Sequence, residues 1–142
     1  MVMHWLSLLL GCAPPVPIVL SAMETNDPSV ISSVRAWYEP GLGWQLEAEL
    51  QLRNPSPTHR RRVDLQNVSL QVDGGAWQSC AQGAQPPERP MIVDLGPEDE
   101  KFRTLRCQDI RSPERTLAMR MGVTNADSGT GVIILEYARV DQ

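Results

Sequence analysis

"WQLEAELQLRN", residues 44–54, alternates apolar and polar side chains with a period of two. In a β-strand successive side chains point to opposite faces, so this pattern predicts a strand that is half buried in an antiparallel sheet. On a helix the same residues would lie on every side. The face predicted to be buried carries Leu46, Ala48, Leu50 and Leu52, and the opposite face carries Gln45, Glu47, Glu49 and Gln51.

Similar patterns predict further strands over residues 30–38, 63–72, 91–95, 101–107, 117–123 and 132–140. In residues 63–72 the apolar phase shifts by one residue near Asn67, which predicts a β-bulge. Residues 132–135 are apolar on both faces, which predicts a strand in the centre of its sheet.

The segments between these strands are rich in Gly, Pro, Asn and Asp, which form tight turns. Seven or eight short strands with turns at near-regular spacing predict an all-β fold, an antiparallel immunoglobulin-like β-sandwich over residues 29–142. We expect the aromatic side chains of this domain to pack in the core or at its edge, namely Tyr38, Trp44, Trp77 and Phe102.

The composition restricts the class of protein. A chain of 142 residues suits one domain, and a net charge of −4 argues against a nucleic-acid partner, which requires a basic surface. The histidines are His4 and His59, and no nucleophile lies in a recognisable catalytic context. We therefore expect no enzyme activity, no metal site and no cofactor.

The start of the chain carries a motif of a different kind. A short run that is apolar apart from Ser7 ends in Leu9, Leu10, Gly11 and Cys12. This resembles the lipobox of bacterial lipoproteins, in which the cysteine receives the lipid. The resemblance implies a signal segment over residues 1–11 and a lipid anchor at Cys12. Because Ala13 and not Asp follows the cysteine, it also implies an outer-membrane location, with the domain in the periplasm.

Residues 12–28 are then expected to form a lipidated tether, since "APPVP", residues 13–17, cannot continue a helix and favours a stiff extended chain. The alternative is that residues 5–12 form the first strand of a cytosolic domain, in which Cys12 is a small buried hydrophobe.

The lipobox resemblance bears on the other cysteines. With Cys12 lipidated, Cys80 and Cys107 remain as a pair in an oxidising compartment, which predicts a disulfide between them. The alternative is two free thiols.

A second resemblance supports the predicted fold. The stretch "LEAELQLRNPSP…VDLQNVSLQVDGG", within residues 46–75, is similar to the small Ig-like domains of envelope lipoproteins and of the late-embryogenesis-abundant, WHy type. In those domains a strand ends in Asn-Pro and the next strands turn at a Gly-rich hairpin. The resemblance implies a β-sandwich and identifies no functional residue.

The strongest concentration of charge is "HRRR", residues 59–62. Arg60, Arg61 and Arg62 are candidates for binding an anionic partner, because a guanidinium binds phosphate or carboxylate through two hydrogen bonds. The alternative is a solvated hairpin tip whose charges discourage edge-to-edge aggregation.

Together these features predict a non-catalytic envelope lipoprotein. It would be a structural or accessory subunit of a membrane-associated assembly, such as a secretion, pilus or motility machine. Its partners would be the membrane, through the lipid anchor, and the protein subunits of that assembly. The alternative is a module that binds polysaccharide or peptidoglycan through tryptophans and the arginines of "HRRR".

Overall fold

The computed structural model describes residues 16–81 and 91–140, which form nine β-strands and no helix. None of this part of the chain is therefore a helix that could cross a membrane. The predicted lipobox and Cys12 lie outside the described residues. The strands are β1 (Ile18–Thr25), β2 (Val30–Glu39), β3 (Gly43–Arg53), β4 (Arg61–Val72), β5 (Trp77–Ser79), β6 (Ile92–Leu95), β7 (Glu100–Ile110), β8 (Thr116–Asn125) and β9 (Gly129–Arg139).

The nine strands form one antiparallel sheet, which confirms the predicted all-β class. Their order is β5–β4–β8–β9–β1–β2–β3–β7, and β6 pairs with the beginning of β4. The sheet curls strongly into a half-barrel, so its apolar face encloses a single core.

A disulfide connects the two ends of this curled sheet. Cys80 directly follows β5 at one end and Cys107 lies in β7 at the other, with their Cα atoms 5.1 Å apart. Beside the disulfide, the backbone N–H of Gln108 donates a hydrogen bond of 2.8 Å to the carbonyl oxygen of Ala81. The predicted Cys80–Cys107 pair is thus confirmed, and it holds the two ends of the sheet together.

The core contains the side chains that the alternating patterns assign to it. The four aliphatic residues of β3, Leu46, Ala48, Leu50 and Leu52, are at most 1 % exposed. Tyr137 of β9 is also buried, and its hydroxyl lies 2.6 Å from the Oγ of Ser32 in β2. Burial raises the pKa of Tyr137 to about 12, although the hydrogen bond with Ser32 acts in the opposite direction.

Strand β4 contains the irregularity that its sequence predicts. Asp64 pairs with Gly122 and Ser69 pairs with Arg120, so β4 advances five residues while β8 advances two. The backbone released from β8 pairing binds other segments, since the carbonyl oxygen of Val68 accepts a hydrogen bond from the N–H of Cys80. The bulge therefore helps to position the disulfide.

Strand β1 corrects one prediction. Residues 18–25, assigned above to the tether, instead form a strand between β9 and β2. Leu20 is the one buried side chain of β1, and it pairs with Val34 of β2 and Arg139 of β9. Because β1 is held mainly by backbone hydrogen bonds, it lacks the apolar alternation that reveals a strand in a sequence.

Two aromatic residues also lie elsewhere than expected. Tyr38 and Phe102 are 48 % and 58 % exposed. The alternation of β7 points Phe102 away from the core, whereas Tyr38 is in phase with the buried Val34 and Ala36 but lies beyond them, near the end of β2. Trp44 packs against the core and makes an edge-to-face contact with Tyr38, with ring centroids 6.0 Å apart. The half-buried Trp77 lies under the guanidinium of Arg120, at 4.3 Å.

Removal of the disulfide should lower the free energy of unfolding by about 3 kcal/mol, because the bridge restricts the unfolded chain over a long loop. We would compare wild type with the Cys80→Ala/Cys107→Ala variant by urea unfolding. Wild type unfolded in the presence of a reductant is the second comparison, since it loses the bridge and keeps both cysteine side chains. Equal midpoints for the double variant and wild type would contradict the role given to the disulfide.

Candidate functional site

The outward side of β2, β3 and β7 carries the most distinctive cluster of exposed side chains. We call it the β3 face and define it by Ile31, Arg35, Trp37, Glu47, Phe102 and Arg106. These residues alternate with core residues on their strands, and the antiparallel register brings the three strands' side chains into cross-strand rows.

The centre of the β3 face is a carboxylate between two arginines. Glu47 pairs with Arg35 on one side and with Arg106 on the other. Its Oε1 accepts a hydrogen bond from Arg35 Nη2 at 2.8 Å, and its Oε2 accepts one from Arg106 Nε at 2.9 Å. The Glu47 side chain is 9 % exposed, whereas those of Arg35 and Arg106 are 55 % and 56 % exposed.

Two opposing effects act on the pKa of Glu47. Burial disfavours the charged carboxylate, but the hydrogen bonds and charges of Arg35 and Arg106 favour it more strongly. The pKa of Glu47 therefore lies below its ordinary value of 4.5. A carboxylate that stays ionised at neutral pH can hold the two arginine side chains in place. It is less suited to act as a general acid or base, which must exchange a proton near neutral pH.

Surface depressions lie on both sides of this carboxylate. One, of about 380 Å³, is lined by Trp37, Leu42 and Arg106 among others, and Arg35 lies 5.4 Å from the centroid of the Trp37 ring. The other, of about 290 Å³, is lined by residues that include Ile31 and Phe102. The two follow β3 from residue 45 to residue 51, a distance of about 20 Å. This length suits a macromolecular partner.

The three arginines predicted to bind an anionic partner do not form one surface. Arg61 is 8 % exposed and points inward, whereas Arg60 and Arg62 point into solvent. Arg62 Nε donates a hydrogen bond to Asp94 Oδ1 at 2.8 Å, with both side chains more than half exposed. An anionic partner would therefore meet Arg60 and Arg62, and Arg61 would not contribute.

Arg61 is the centre of a buried polar network at this end of the sheet. Its Nη1 donates to Ser29 Oγ at 2.6 Å and to the carbonyl oxygen of Arg53 at 3.1 Å. Its Nε donates to Asn125 Oδ1 at 2.9 Å, and its Nη2 forms an ion pair with Asp27. Four of the five guanidinium N–H groups are thus used to connect β3, β4, β8 and the segment before β2.

The network around Arg61 lowers the pKa of Asp27. Burial would raise the pKa of its carboxyl group, but hydrogen bonds from Ser29 and Arg61 outweigh burial and hold the pKa below the ordinary value of 3.8. The ion pair is therefore fully formed at neutral pH, and Arg61 has a structural role.

His59 lies in an exposed loop, and its Nδ1 is 2.8 Å from the Oγ1 of Thr58. Across residues 16–81 and 91–140, no three His, Cys, Asp or Glu side chains are close enough to hold a metal ion.

Sequence reasoning did not find the β3 face, although one signal was present. The turn "EPGLG", residues 39–43, fixes the register of the β2–β3 hairpin and places Arg35 opposite Glu47. The second arginine could not be found in this way, because β7 is distant in sequence and its pairing with β3 follows from the whole fold.

No family model matches the chain, and a search of curated proteins finds no significant match. The fold and the site therefore define the class of this protein as an all-β domain with a disulfide between its sheet ends and an outward face rich in arginine and aromatic residues.

Arg61→Ala should lower the free energy of unfolding by about 3 kcal/mol, because it leaves the partly buried Asp27 carboxylate without its cation. Arg62→Ala is the matched control and should have little effect, since its ion pair with Asp94 lies in solvent. Both variants would be measured by urea unfolding. Equal losses in the two variants would refute the distinction between a buried and an exposed arginine.

Acid should destabilise the protein partly through Glu47. Since the folded protein lowers the pKa of Glu47, this stabilisation is complete above the ordinary value of 4.5 and is lost as the pH falls through the folded pKa. Thermal unfolding of Glu47→Gln, followed from neutral pH to about pH 2, should show a smaller loss of stability than wild type. Glu49→Gln, an exposed neighbour on β3, is the control. Identical acid profiles for Glu47→Gln and wild type would show that the ion pairs of Glu47 with Arg35 and Arg106 do not stabilise the fold.

Proposed function

We propose that this protein is a non-catalytic lipoprotein of the bacterial envelope, anchored in the outer membrane through Cys12. It acts as a structural or accessory subunit of a membrane-associated assembly such as a secretion, pilus or motility machine. The observation that carries the proposal is the Cys80–Cys107 disulfide, since such bridges persist in oxidising compartments such as the periplasm and are rare in the cytosol. The lipobox provides the anchor for a domain in that compartment.

We further infer that the curled sheet is a variant of the immunoglobulin-like sandwich. Support comes from β1, which pairs with β2 only through residues 18–20 and with β9 from residue 20 onward. The sheet therefore divides beyond residue 20. One half contains β4, β8 and β9, the other contains β2, β3 and β7, and the two share one core.

The β3 face is the surface proposed to bind a protein subunit. Trp37, Arg35 and Arg106 are of the residue types that contribute most to the binding energy at protein interfaces. The exposed apolar side chains of Ile31 and Phe102 add area that a partner would remove from water. No bond chemistry is needed for this role.

A specific observation favours the alternative, a polysaccharide- or peptidoglycan-binding module. Trp37 borders the 380 Å³ depression together with Arg35 and Arg106, and an aromatic ring beside cationic groups can receive a sugar bearing carboxylates. The two functions would use the same face and differ in the partner.

The first experiment would measure the intact mass of the protein from native membranes, before and after reduction. A chain that begins at Cys12 with added acyl mass, and that gains two hydrogens on reduction, is expected. A full-length unmodified chain with free thiols would overturn the proposal.

The Trp37→Ala/Phe102→Ala variant should reduce the recovery of co-purifying envelope proteins from detergent-extracted membranes by about tenfold or more, as expected for the loss of interface hot spots. Trp77→Ala is the matched control, because Trp77 also lies under an arginine but on another part of the sheet. Unchanged recovery with loss of sedimentation on purified cell wall would favour the polysaccharide-binding alternative. Unchanged results in both assays would show that the β3 face binds neither kind of partner.

A further inference from the structure

We propose that one end of the sheet rests on the lipid surface, with the tip of the β2–β3 hairpin inserted among the lipid headgroups. We call this the anchor end and define it as the end where β1 begins, with the hairpin tip at residues 39–43 and the end of β9 beside it. The inference rests on the lipid anchor proposed above and adds the surface by which the domain itself contacts the bilayer.

The length of chain between Cys12 and the sheet limits where the domain can lie. Five residues separate Cys12 from Ile18, the first residue of β1. Even fully extended, such a segment spans only about 20 Å. An acylated Cys12 would therefore keep the anchor end close to the bilayer, whatever path those residues take.

Of the ten large hydrophobic side chains that are exposed in the described residues, four lie in the terminal segments and the hairpin of this end, and the other six lie on strands. The four are Val16, Tyr38, Leu42 and Val140, which are 78 %, 48 %, 57 % and 44 % exposed. The loops at the opposite end, residues 54–60, 96–99 and 126–128, carry no exposed large hydrophobic side chain. The non-strand segments that carry exposed large hydrophobic side chains, at Val16, Leu42 and Val140, thus all lie at the anchor end.

The hairpin tip is held in a fixed conformation. The N–H of Leu42 donates a hydrogen bond of 3.0 Å to the carbonyl oxygen of Glu39, and Gly41 has a φ of 85°. With Pro40 before this glycine, the tip forms a turn that needs a positive φ at its third residue, as a type II turn does. Leu42 is therefore displayed on a preformed turn, which lowers the entropy cost of inserting it.

Aromatic residues stand directly behind Leu42. Tyr38 and Trp44 are in edge-to-face contact, with ring centroids 6.0 Å apart. Tyrosine and tryptophan favour the boundary between water and lipid, because each combines an apolar ring with a polar group. The order from tip to sheet, leucine and then aromatics, matches the order from acyl chains to headgroups.

Charge argues for contact with a neutral bilayer. The anchor end carries acidic and basic side chains in similar number, namely Glu39, Asp73, Asp109 and Glu114 against Arg111, Arg115 and Arg139. Attraction to anionic lipid requires a cluster of basic residues, which the described residues of this end do not provide. The contact would therefore depend on apolar insertion and should depend little on salt.

The experiment uses the acylated mature protein, which begins at Cys12, in phosphatidylcholine vesicles that contain a lipid with a quencher on its acyl chain. Leu42→Trp adds an indole at the hairpin tip. Val132→Trp is the matched control, because Val132 is 50 % exposed and lies on β9 towards the opposite end of the sheet. We expect loss of the added emission at position 42, at low and high salt alike, and no loss at position 132.

A second measurement avoids the added tryptophan. Amide hydrogen exchange of residues 39–43 should slow when the wild-type acylated protein is placed in vesicles, and it should not slow in Leu42→Glu. Exchange in residues 54–60 should be unchanged in both proteins.

The outcomes separate this inference from the proposed function. Acylated protein in vesicles with neither quenching at position 42 nor slowed exchange in residues 39–43 overturns the membrane contact and leaves the lipoprotein proposal intact. Intact mass showing no acyl group overturns both. Quenching that disappears at high salt would assign the contact to charge and refute the apolar insertion argued here.

Discussion

The fold depends on the connection between the two ends of its sheet. An open antiparallel sheet has two edges. Curling the sheet removes its apolar face from water only if the two ends come together around a core. Here the Cys80–Cys107 disulfide and the hydrogen bond from Gln108 to Ala81 join the strands at the two ends. The bulge in β4 supports this closure, since its free carbonyl at Val68 receives the N–H of Cys80. Covalent and backbone constraints thus act at the same place.

The two ends of the sheet differ in the groups that they leave exposed to water. At the end opposite the anchor end, Arg61 connects several strands through hydrogen bonds and an ion pair with Asp27. The polar groups around it are therefore paired within the protein. At the other, the exposed Leu42 and Tyr38 leave apolar area in water. This asymmetry is compatible with a domain whose one end is tied to a membrane and whose other end is fully solvated.

The sequence predicted what depends on burial against one face. The alternation in β3 identified its core residues, and the phase shift near Asn67 located the bulge in β4. The same reasoning missed β1, where backbone pairing replaces apolar burial, and the three-residue β5. It also treated Arg61 as surface, because neighbouring arginines look alike until the strand direction shows which one points inward. The ion pairs of Glu47 with Arg35 and Arg106 could not be predicted, because they depend on the pairing of three strands and no local sequence pattern contains that pairing.

The position of β1 also determines when folding can be completed. β1 is the first strand along the chain, yet one of its neighbours is β9, the last, with Leu20 opposite Arg139. A pairing between residues so distant in sequence is formed late, because closing so large a loop costs entropy before any contact compensates for it. The sheet therefore cannot be built progressively from its beginning. Until residues 129–139 have emerged, whether from a ribosome or from a membrane pore, β8 and β1 both present unpaired edges that a chaperone would have to protect.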